Sequence, residues 1–185
     1  MARIDEVCGH DWGIDLHDKG EMLYVMARWG PGEGRILEVG SALGRSTACL
    51  ALGSKDAGRE IVVAIDHHEQ FKTYDRFRQH MVDLKLLDWV QIVHMDSERA
   101  RRGWGDTKLR LIFIDGEHTH RGVQRDIHMW VPLVIEGGLI VWDDYSNISE
   151  VTKAIDEFLR ATKWDYVARS NLIWTTKERE WFPTS

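Results

Sequence analysis

Short apolar runs alternate with amphipathic stretches along most of this chain. Apolar runs of four to six residues bounded by glycine or acidic residues are typical of buried strands, and apolar positions three and four apart indicate helices. Strands and helices that alternate predict a parallel sheet with helices on both faces. The predicted strands are 35–39, 61–65, 90–95, 109–114, 138–142, 165–169 and 172–175; the predicted helices are 20–29, 45–52, 70–87, a short one after 97, 122–131 and 149–161.

The last two predicted strands are separated only by Ser170 and Asn171, a spacing typical of an antiparallel hairpin. The fold class is therefore α/β: a Rossmann-like seven-stranded sheet, mostly parallel, with a C-terminal antiparallel hairpin. No repeat or linker divides the 185 residues, so we expect one domain, 1–185. Residues 1–19 precede the first predicted helix and could form a lid over a site; a second subunit in a homo-oligomer is the alternative.

Composition narrows the class of protein. With a net charge of −6, the chain lacks the basic balance of a general nucleic-acid binder. No stretch approaches the roughly 20 apolar residues of a membrane span, and the acidic N-terminus does not resemble a signal peptide. Cys8 and Cys49 form no disulfide framework or metal spacing. We therefore expect a cytoplasmic protein that binds neither membranes nor nucleic acid in general.

The segment ILEVGSALGRST, residues 36–47, carries the strongest functional signal. It reads as a buried strand, a glycine turn bracketed by Gly40 and Gly44, and the first turn of a helix. Such a helix directs its free N–H groups and positive dipole end at a ligand in the turn. Glu38 at the strand end and Ser41 inside the turn are candidate cofactor contacts. The segment predicts a nucleotide-type cofactor site at the edge of a parallel sheet.

The spacing within this turn favours S-adenosylmethionine. A dinucleotide site requires G-x-G-x-x-G, but Ala42 stands where the middle glycine belongs, which disfavours an NAD-dependent oxidoreductase. Glu38 would repel a pyrophosphate, whereas it suits a ligand that carries a sulfonium and an amine. Asp66 ends the next strand 22 residues beyond Gly44, close to the spacing at which an acid meets a ribose diol. His67 follows it and could contact the adenosine.

Acidic residues end every early strand, and this pattern indicates a cation. Asp115 ends the fourth strand, and Asp143 and Asp144 follow the fifth. Neighbouring parallel strands bring their carboxyl ends to one edge, where three carboxylates could hold Mg²⁺. The alternative is that Asp143 or Asp144 merely caps the next helix.

These motifs together resemble the class I S-adenosylmethionine-dependent methyltransferases over about residues 20–175. The turn GSALGRS, residues 40–46, is similar to the G-x-x-x-G-x-S turn of the catechol O-methyltransferases. The resemblance implies that Ser46 holds the cofactor carboxylate, that Asp66 binds the ribose, and that Asp96 and Ser97 lie beside the adenine. It also implies the seven-stranded sheet of that family.

Within that class, the chain resembles the Mg²⁺-dependent O-methyltransferases. Asp115 matches their first metal aspartate, at the edge of the cofactor, and Asp143 matches the second. With Asp143, Asp144 forms a D-D pair similar to the one in natural-product sugar O-methyltransferases. The stretch IDGEHTHRGVQRD, residues 114–126, also resembles that group. The resemblance implies methyl transfer to a hydroxyl of a small molecule, such as a sugar or a phenol. The alternatives are a metal-independent class I methyltransferase and a cofactor-binding module without turnover.

Two neighbouring residues are candidates for the general base. Glu117 stands where the sugar enzymes resembled here carry an acidic base, and His118 stands where the catechol type carries a lysine. An imidazole is suited to proton transfer near neutral pH, whereas a nearby Mg²⁺ would lower the pKa of Glu117. Both residues remain candidates, with acid–base matching in favour of His118.

Overall fold

A single mixed sheet forms the centre of the molecule, which a computed structural model describes for residues 4–10, 17–69 and 72–178. Five strands, in the order β3-β2-β1-β4-β5, are parallel, and β7 and β6 continue the sheet antiparallel, each to its neighbour. This confirms the predicted sheet and hairpin. The strands are β1 (Arg35–Val39), β2 (Val62–Asp66), β3 (Val90–His94), β4 (Leu109–Ile114), β5 (Val134–Trp142), β6 (Tyr166–Arg169) and β7 (Leu172–Thr176).

Helices cover both faces of the sheet, as predicted. They are α1 (Ile4–Cys8), α2 (His17–Trp29), α3 (Arg45–Asp56), α4 (Tyr74–Asp83), α5 (Ser97–Trp104), α6 (His120–Trp130) and α7 (Ser149–Thr162), with 3₁₀ turns at Leu87–Trp89 and Val131–Leu133. The sequence did not predict α1. Residues 1–3 and 11–16 of the predicted lid lie outside the described residues. None of the helices in the described ranges combines the length and apolar composition needed to cross a bilayer.

The alternation of side chains along β1 divides the core into two parts. Leu37 and Val39 pack with α5, α6 and α7 on one face of the sheet, and Ile36 packs with α1 to α4 on the other. Because strand side chains alternate, Glu38 points to the same face as Ile36. Its side chain therefore enters the layer between the sheet and α3.

The predicted helix over 70–87 is much shorter in the structure. Within the described residues it begins at Tyr74 and ends at Asp83, and residues 70 and 71 are not described. Lys85 adopts the left-handed conformation with φ 56°, and the Leu86 N–H donates to the Met81 carbonyl. This is the geometry that ends a helix by reversing the chain, and the apolar pattern of the segment does not show it.

Candidate functional site

A cavity of about 1100 Å³ opens at the carboxyl ends of the parallel strands. Six of the predicted cofactor residues line it: Gly40, Asp66, His67, Asp96, Ser97 and Asp115. This position is where ligands bind in open α/β sheets. The other predicted cofactor residues, Glu38, Ser41, Gly44 and Ser46, lie behind its wall.

Glu38 is fully buried behind the glycine turn. Its carboxylate accepts hydrogen bonds from the Ser46 and Thr47 hydroxyls at the start of α3. Burial raises the pKa of Glu38 to about 8, against the lowering effect of those two hydroxyls. The structure therefore places Ser46 against Glu38, and both hold the turn to α3 from behind.

Close packing explains both glycines of the turn. A Cβ on Gly40, which has φ 87°, would lie 2.0 Å from the Asp115 carbonyl oxygen. Gly44, with φ 91°, packs against the Phe77 ring and precedes the first residue of α3. A side chain at either position would force the turn away from the strand ends.

Asp66 holds the glycine turn through backbone groups. Its Oδ2 accepts the N–H groups of Ser41 at 3.0 Å and Ala42 at 2.7 Å, and its Oδ1 accepts the His68 N–H at 2.6 Å. The carboxylate is only partly buried and lines the cavity. Asp66 therefore joins the ends of β1 and β2 and presents a negative charge to whatever occupies the cavity.

His68 is a cavity residue that sequence reasoning missed. Its side chain is buried, its Nδ1 lies 2.8 Å from the Thr73 hydroxyl, and its buried Nε2 has no hydrogen-bond partner in the described part of the chain. Burial lowers the pKa of His68, so the ring is neutral near pH 7. The predicted contact His67 is exposed instead, at the rim. The pair of histidines was visible in the sequence, but not which one faces inward.

The far end of the cavity is built on α5. Asp96 caps this helix by accepting the Arg99 N–H at 2.7 Å. The Ser97 hydroxyl accepts from Trp130 Nε1 at 2.8 Å and donates to Asp126 Oδ1 at 2.7 Å. Burial raises the pKa of Asp126 to about 6. Asp126 lines the cavity and was not predicted as a site residue.

Three potential ligand atoms converge at the other end. One atom each of Asp115, His118 and Asp144 lies within 4.8 Å of the other two. His118 Nε2 is 3.5 Å from Asp115 Oδ1 and 3.4 Å from Asp144 Oδ2. β4 and β5 are neighbours, and the Asp143 N–H bonds to the Ile114 carbonyl, so the ends of these strands lie side by side as predicted.

The two adjacent aspartates point to different partners. Asp143 is buried and pairs with Lys19 Nζ, at 2.7 and 3.1 Å from its two oxygens. Asp144 has φ 57°, which turns its carboxylate toward His118. Its Oδ1 accepts a hydrogen bond at 3.1 Å from the side-chain amide of Asn171, which lies in the turn between β6 and β7. Among the described residues the cluster thus contains Asp144 and His118, whereas the predicted ligand Asp143 is held by Lys19.

Charge in this cluster shifts the pKa of two members. Burial, together with the charges of Asp143 and Asp144, raises the pKa of Asp115 to about 6, although His118 opposes the shift. The pKa of His118 is raised in turn, first by its contact with Asp115 and despite partial burial. The cluster therefore carries an excess of negative charge that a cation would relieve.

Glu117, the other candidate base, is occupied by neighbours. Its carboxylate accepts from the Thr119 hydroxyl at 2.6 Å and from Arg125 Nη2 at 2.9 Å. These contacts, with that to Thr119 the largest, lower the pKa of Glu117. It lines the cavity as an ionised, exposed carboxylate.

The sheet order and the cavity at the carboxyl ends of its strands define the Rossmann-like architecture of the class I methyltransferases. The methyltransferase domain family matches residues 37–145, more than half of the chain, and the chain belongs to that family. The predicted class and the prediction of an enzyme are thereby confirmed.

Several solved structures share this fold at low sequence identity. Cofactor-bound Rv0187 from MTB is 17% identical, with 95% of this chain and 87% of that one covered and a TM-score of 0.73. The O-methyltransferase NovP is 17% identical, with 96% and 89% covered and a TM-score of 0.67. The O-methyltransferase from Bacillus cereus in complex with SAH is 18% identical, with 94% and 90% covered and a TM-score of 0.69.

Proposed function

We propose that this protein transfers a methyl group from S-adenosylmethionine to a hydroxyl of a small molecule, with assistance from Mg²⁺. The observation that carries the proposal is that one cavity is lined both by Asp66, which holds the glycine turn, and by Asp115 and His118 of the acidic cluster. Two of the similar structures are O-methyltransferases, one of them with SAH bound. The acceptor is a sugar, a phenol or another hydroxylated natural product.

The cavity fits this cofactor and an acceptor together. Its volume of about 1100 Å³ exceeds the roughly 300–1,000 Å³ of a site for one drug-sized ligand. Asp66 supplies a carboxylate for the ribose diol, and Asp96 and Ser97 lie on the adenine side. His68 Nε2, which is buried and has no partner among residues 4–10, 17–69 and 72–178, supplies a further polar atom at the cavity wall.

The donor set of the cluster also fits a divalent cation. Asp115 and Asp144 would supply carboxylate oxygens, the ligands that Mg²⁺ prefers, and His118 lies within reach as a third ligand or as a base. The negative charges of Asp143 and Asp144, which add to burial in raising the pKa of Asp115, favour a cation at this position. When bound, Mg²⁺ would lower the pKa of a coordinated hydroxyl and fix its orientation.

The chemistry requires one proton acceptor. The acceptor oxygen attacks the sulfonium methyl, a C–O bond forms, the C–S bond breaks and the sulfur leaves as a neutral thioether. Of the two candidates, His118 is the better base, because Glu117 is held ionised by Thr119 and Arg125 and its pKa is lowered. We propose that His118 Nε2 takes the hydroxyl proton as the bond forms.

One observation favours a metal-independent methyltransferase as the second candidate. Lys19 already places a positive charge against Asp143, beside the cluster. A resident ammonium can offset part of the negative charge that a cation would otherwise neutralise. In that case the cofactor would bind and turn over without any divalent ion.

Calorimetry of the purified, metal-stripped protein tests the proposal. S-adenosylmethionine is titrated first, and Mg²⁺ is titrated into the resulting complex, for wild type, Asp144→Asn and the control Asp106→Asn. Asp106 is exposed and lies away from the cavity wall. We expect the cofactor to bind all three proteins and Mg²⁺ to bind more weakly only to Asp144→Asn, because a neutral amide oxygen is a poorer ligand than a carboxylate. Acceptor screening, read as release of S-adenosylhomocysteine, then begins with vicinal hydroxyls.

The outcomes separate the candidates. Cofactor binding and turnover without Mg²⁺ heat would identify a metal-independent enzyme. Cofactor binding without turnover of any hydroxylated acceptor would favour a binding module. Absence of cofactor binding would refute the proposal as a whole.

A further inference from the structure

Lys19 forms a buried ion pair at the edge of the acidic cluster. Its Nζ lies 2.7 Å from Asp143 Oδ1 and 3.1 Å from Oδ2, and the two residues are 124 positions apart. The side chains are only 11% and 10% exposed. The pair joins the start of α2 to the end of β5, beside the residues to which the proposed function assigns the metal.

The position of Lys19 is unfavourable without its partner. It is the third residue of α2, where the positive end of the helix dipole disfavours a cation. Burial removes its ammonium from water, which costs free energy unless a partner of opposite charge is present. The ion pair with the Asp143 carboxylate therefore stabilises the buried position of the Lys19 ammonium.

Both carboxylate oxygens of Asp143 accept hydrogen bonds from Lys19. Oδ1 accepts both Lys19 Nζ and the Asp144 N–H, the latter at 2.7 Å, and Oδ2 accepts Lys19 as well. Asp144, in contrast, turns outward at φ 57° and faces His118. Adjacent carboxylates thus have separate partners, and Lys19 determines the partner of the first.

We infer that Lys19 is a positioning residue that withholds Asp143 from the divalent cation and leaves Asp115 and Asp144 as its carboxylate ligands. The inference rests on the metal assistance in the proposed function. With Lys19 in place, the carboxylates of Asp115 and Asp144 face the cation; without it, the Asp143 carboxylate becomes a third. Lys19 therefore sets both the number of carboxylates available to the ion and its affinity.

Binding of Mn²⁺ alone, followed by electron paramagnetic resonance of the free ion, tests this inference without any turnover. Lys19→Met frees Asp143 and should tighten Mn²⁺ binding by at least about tenfold, the lower end of the effect of outer-shell changes. Lys19→Met/Asp143→Asn removes both charges together and should bind within about threefold of wild type. Lys19→Arg keeps the charge and should match wild type. Circular dichroism checks that each variant is folded.

The double variant decides the matter even where Lys19→Met does not fold. A double variant that loses about tenfold or more in Mn²⁺ affinity would overturn the inference, because Asp143 would then be a ligand in wild type. A folded Lys19→Met with unchanged affinity would overturn it as well. If wild type binds S-adenosylmethionine but no Mn²⁺, the metal part of the proposed function fails. In that case, Mn²⁺ binding by Lys19→Met would still uphold the role of Lys19 in withholding Asp143. If neither wild type nor Lys19→Met binds Mn²⁺, the inference about Lys19 is overturned as well.

Discussion

Replacement of Glu38 by glutamine should change how the stability of this protein depends on pH. Glu38 is 0% exposed, and burial raises its pKa from an ordinary 4.5 to about 8. The native state therefore holds a proton that the unfolded chain releases between these values. Because the native state binds more protons in this window, stability falls as pH rises through it.

The size of the effect follows from the two pKa values. Below pH 4.5 the contribution of Glu38 is fully present, and it is lost as pH rises through about 8. At 1.36 kcal/mol per pKa unit, wild type should lose roughly 4 kcal/mol relative to Glu38→Gln between pH 5 and pH 8.5. The amide oxygen of glutamine can accept from one of the two hydroxyls, and its NH₂ group can donate to the oxygen of the other, so the variant keeps a hydrogen bond to both Ser46 and Thr47.

Urea unfolding at pH 5 and pH 8.5, without cofactor, measures this difference. The quantity compared is the change with pH in the free energy of unfolding, variant minus wild type, which cancels the other titrating groups. Glu136→Gln, an exposed glutamate on β5, is the matched control and should follow wild type at both pH values. The reasoning would be refuted if the free energy of unfolding of Glu38→Gln, minus that of wild type, changed by less than about 1 kcal/mol between pH 5 and pH 8.5.

Three further results are expected. Gly40→Ala should destabilise the protein by about 3 kcal/mol or more in urea unfolding, because its Cβ would meet the Asp115 carbonyl oxygen at 2.0 Å. Gly58→Ala, with φ 63° and nothing within 4 Å, should cost only about 1 kcal/mol, and equal losses would contradict the packing argument. Asp66→Asn should weaken S-adenosylmethionine binding about tenfold in calorimetry, since an NH₂ group replaces a carboxylate oxygen that would accept from the ribose diol, a loss of about 1–3 kcal/mol; unchanged affinity would argue against the ribose contact. His118→Ala should lower kcat/KM by about 10²–10⁴-fold, and the wild-type rate should rise with pH as the imidazole loses its proton. A variant with the wild-type pH profile would exclude His118 as the base.

The centre of the sheet could be predicted from the sequence because β1, β2 and β4 are buried on both faces. β1 and β4 have the bounds that the sequence predicted. Both are mostly apolar, and the polar residues inside them are Glu38 in β1 and Arg110 in β4. Strand ends in a parallel sheet meet at one edge, so the approach of Asp115 to the aspartates after β5 was also predictable.

Side-chain partners within the site were less predictable, because they depend on contacts between distant segments. Lys19 and Asp143 are 124 residues apart, and no local pattern indicates that they pair. The burial of His68 depends on a φ of 55° and on the Thr73 hydroxyl. Resemblance supplied roles for Ser46 and Asp143, but this chain gives both residues partners of its own.

The negative charges along this edge of the sheet are compensated in different ways, and the difference gives the cavity a polarity. Asp66 accepts three backbone N–H groups, Glu38 holds a proton, and Asp143 has the Lys19 ammonium. Among the described residues, Asp115 and Asp144 share His118, an imidazole whose own charge depends on them, and Asp144 also accepts from the Asn171 amide. Attraction for a positive group is consequently strongest at the β4–β5 end of the described cavity. In the proposed reaction this is the end at which the sulfonium methyl must meet the acceptor oxygen, so the same charges that would hold a cation also favour the donor there.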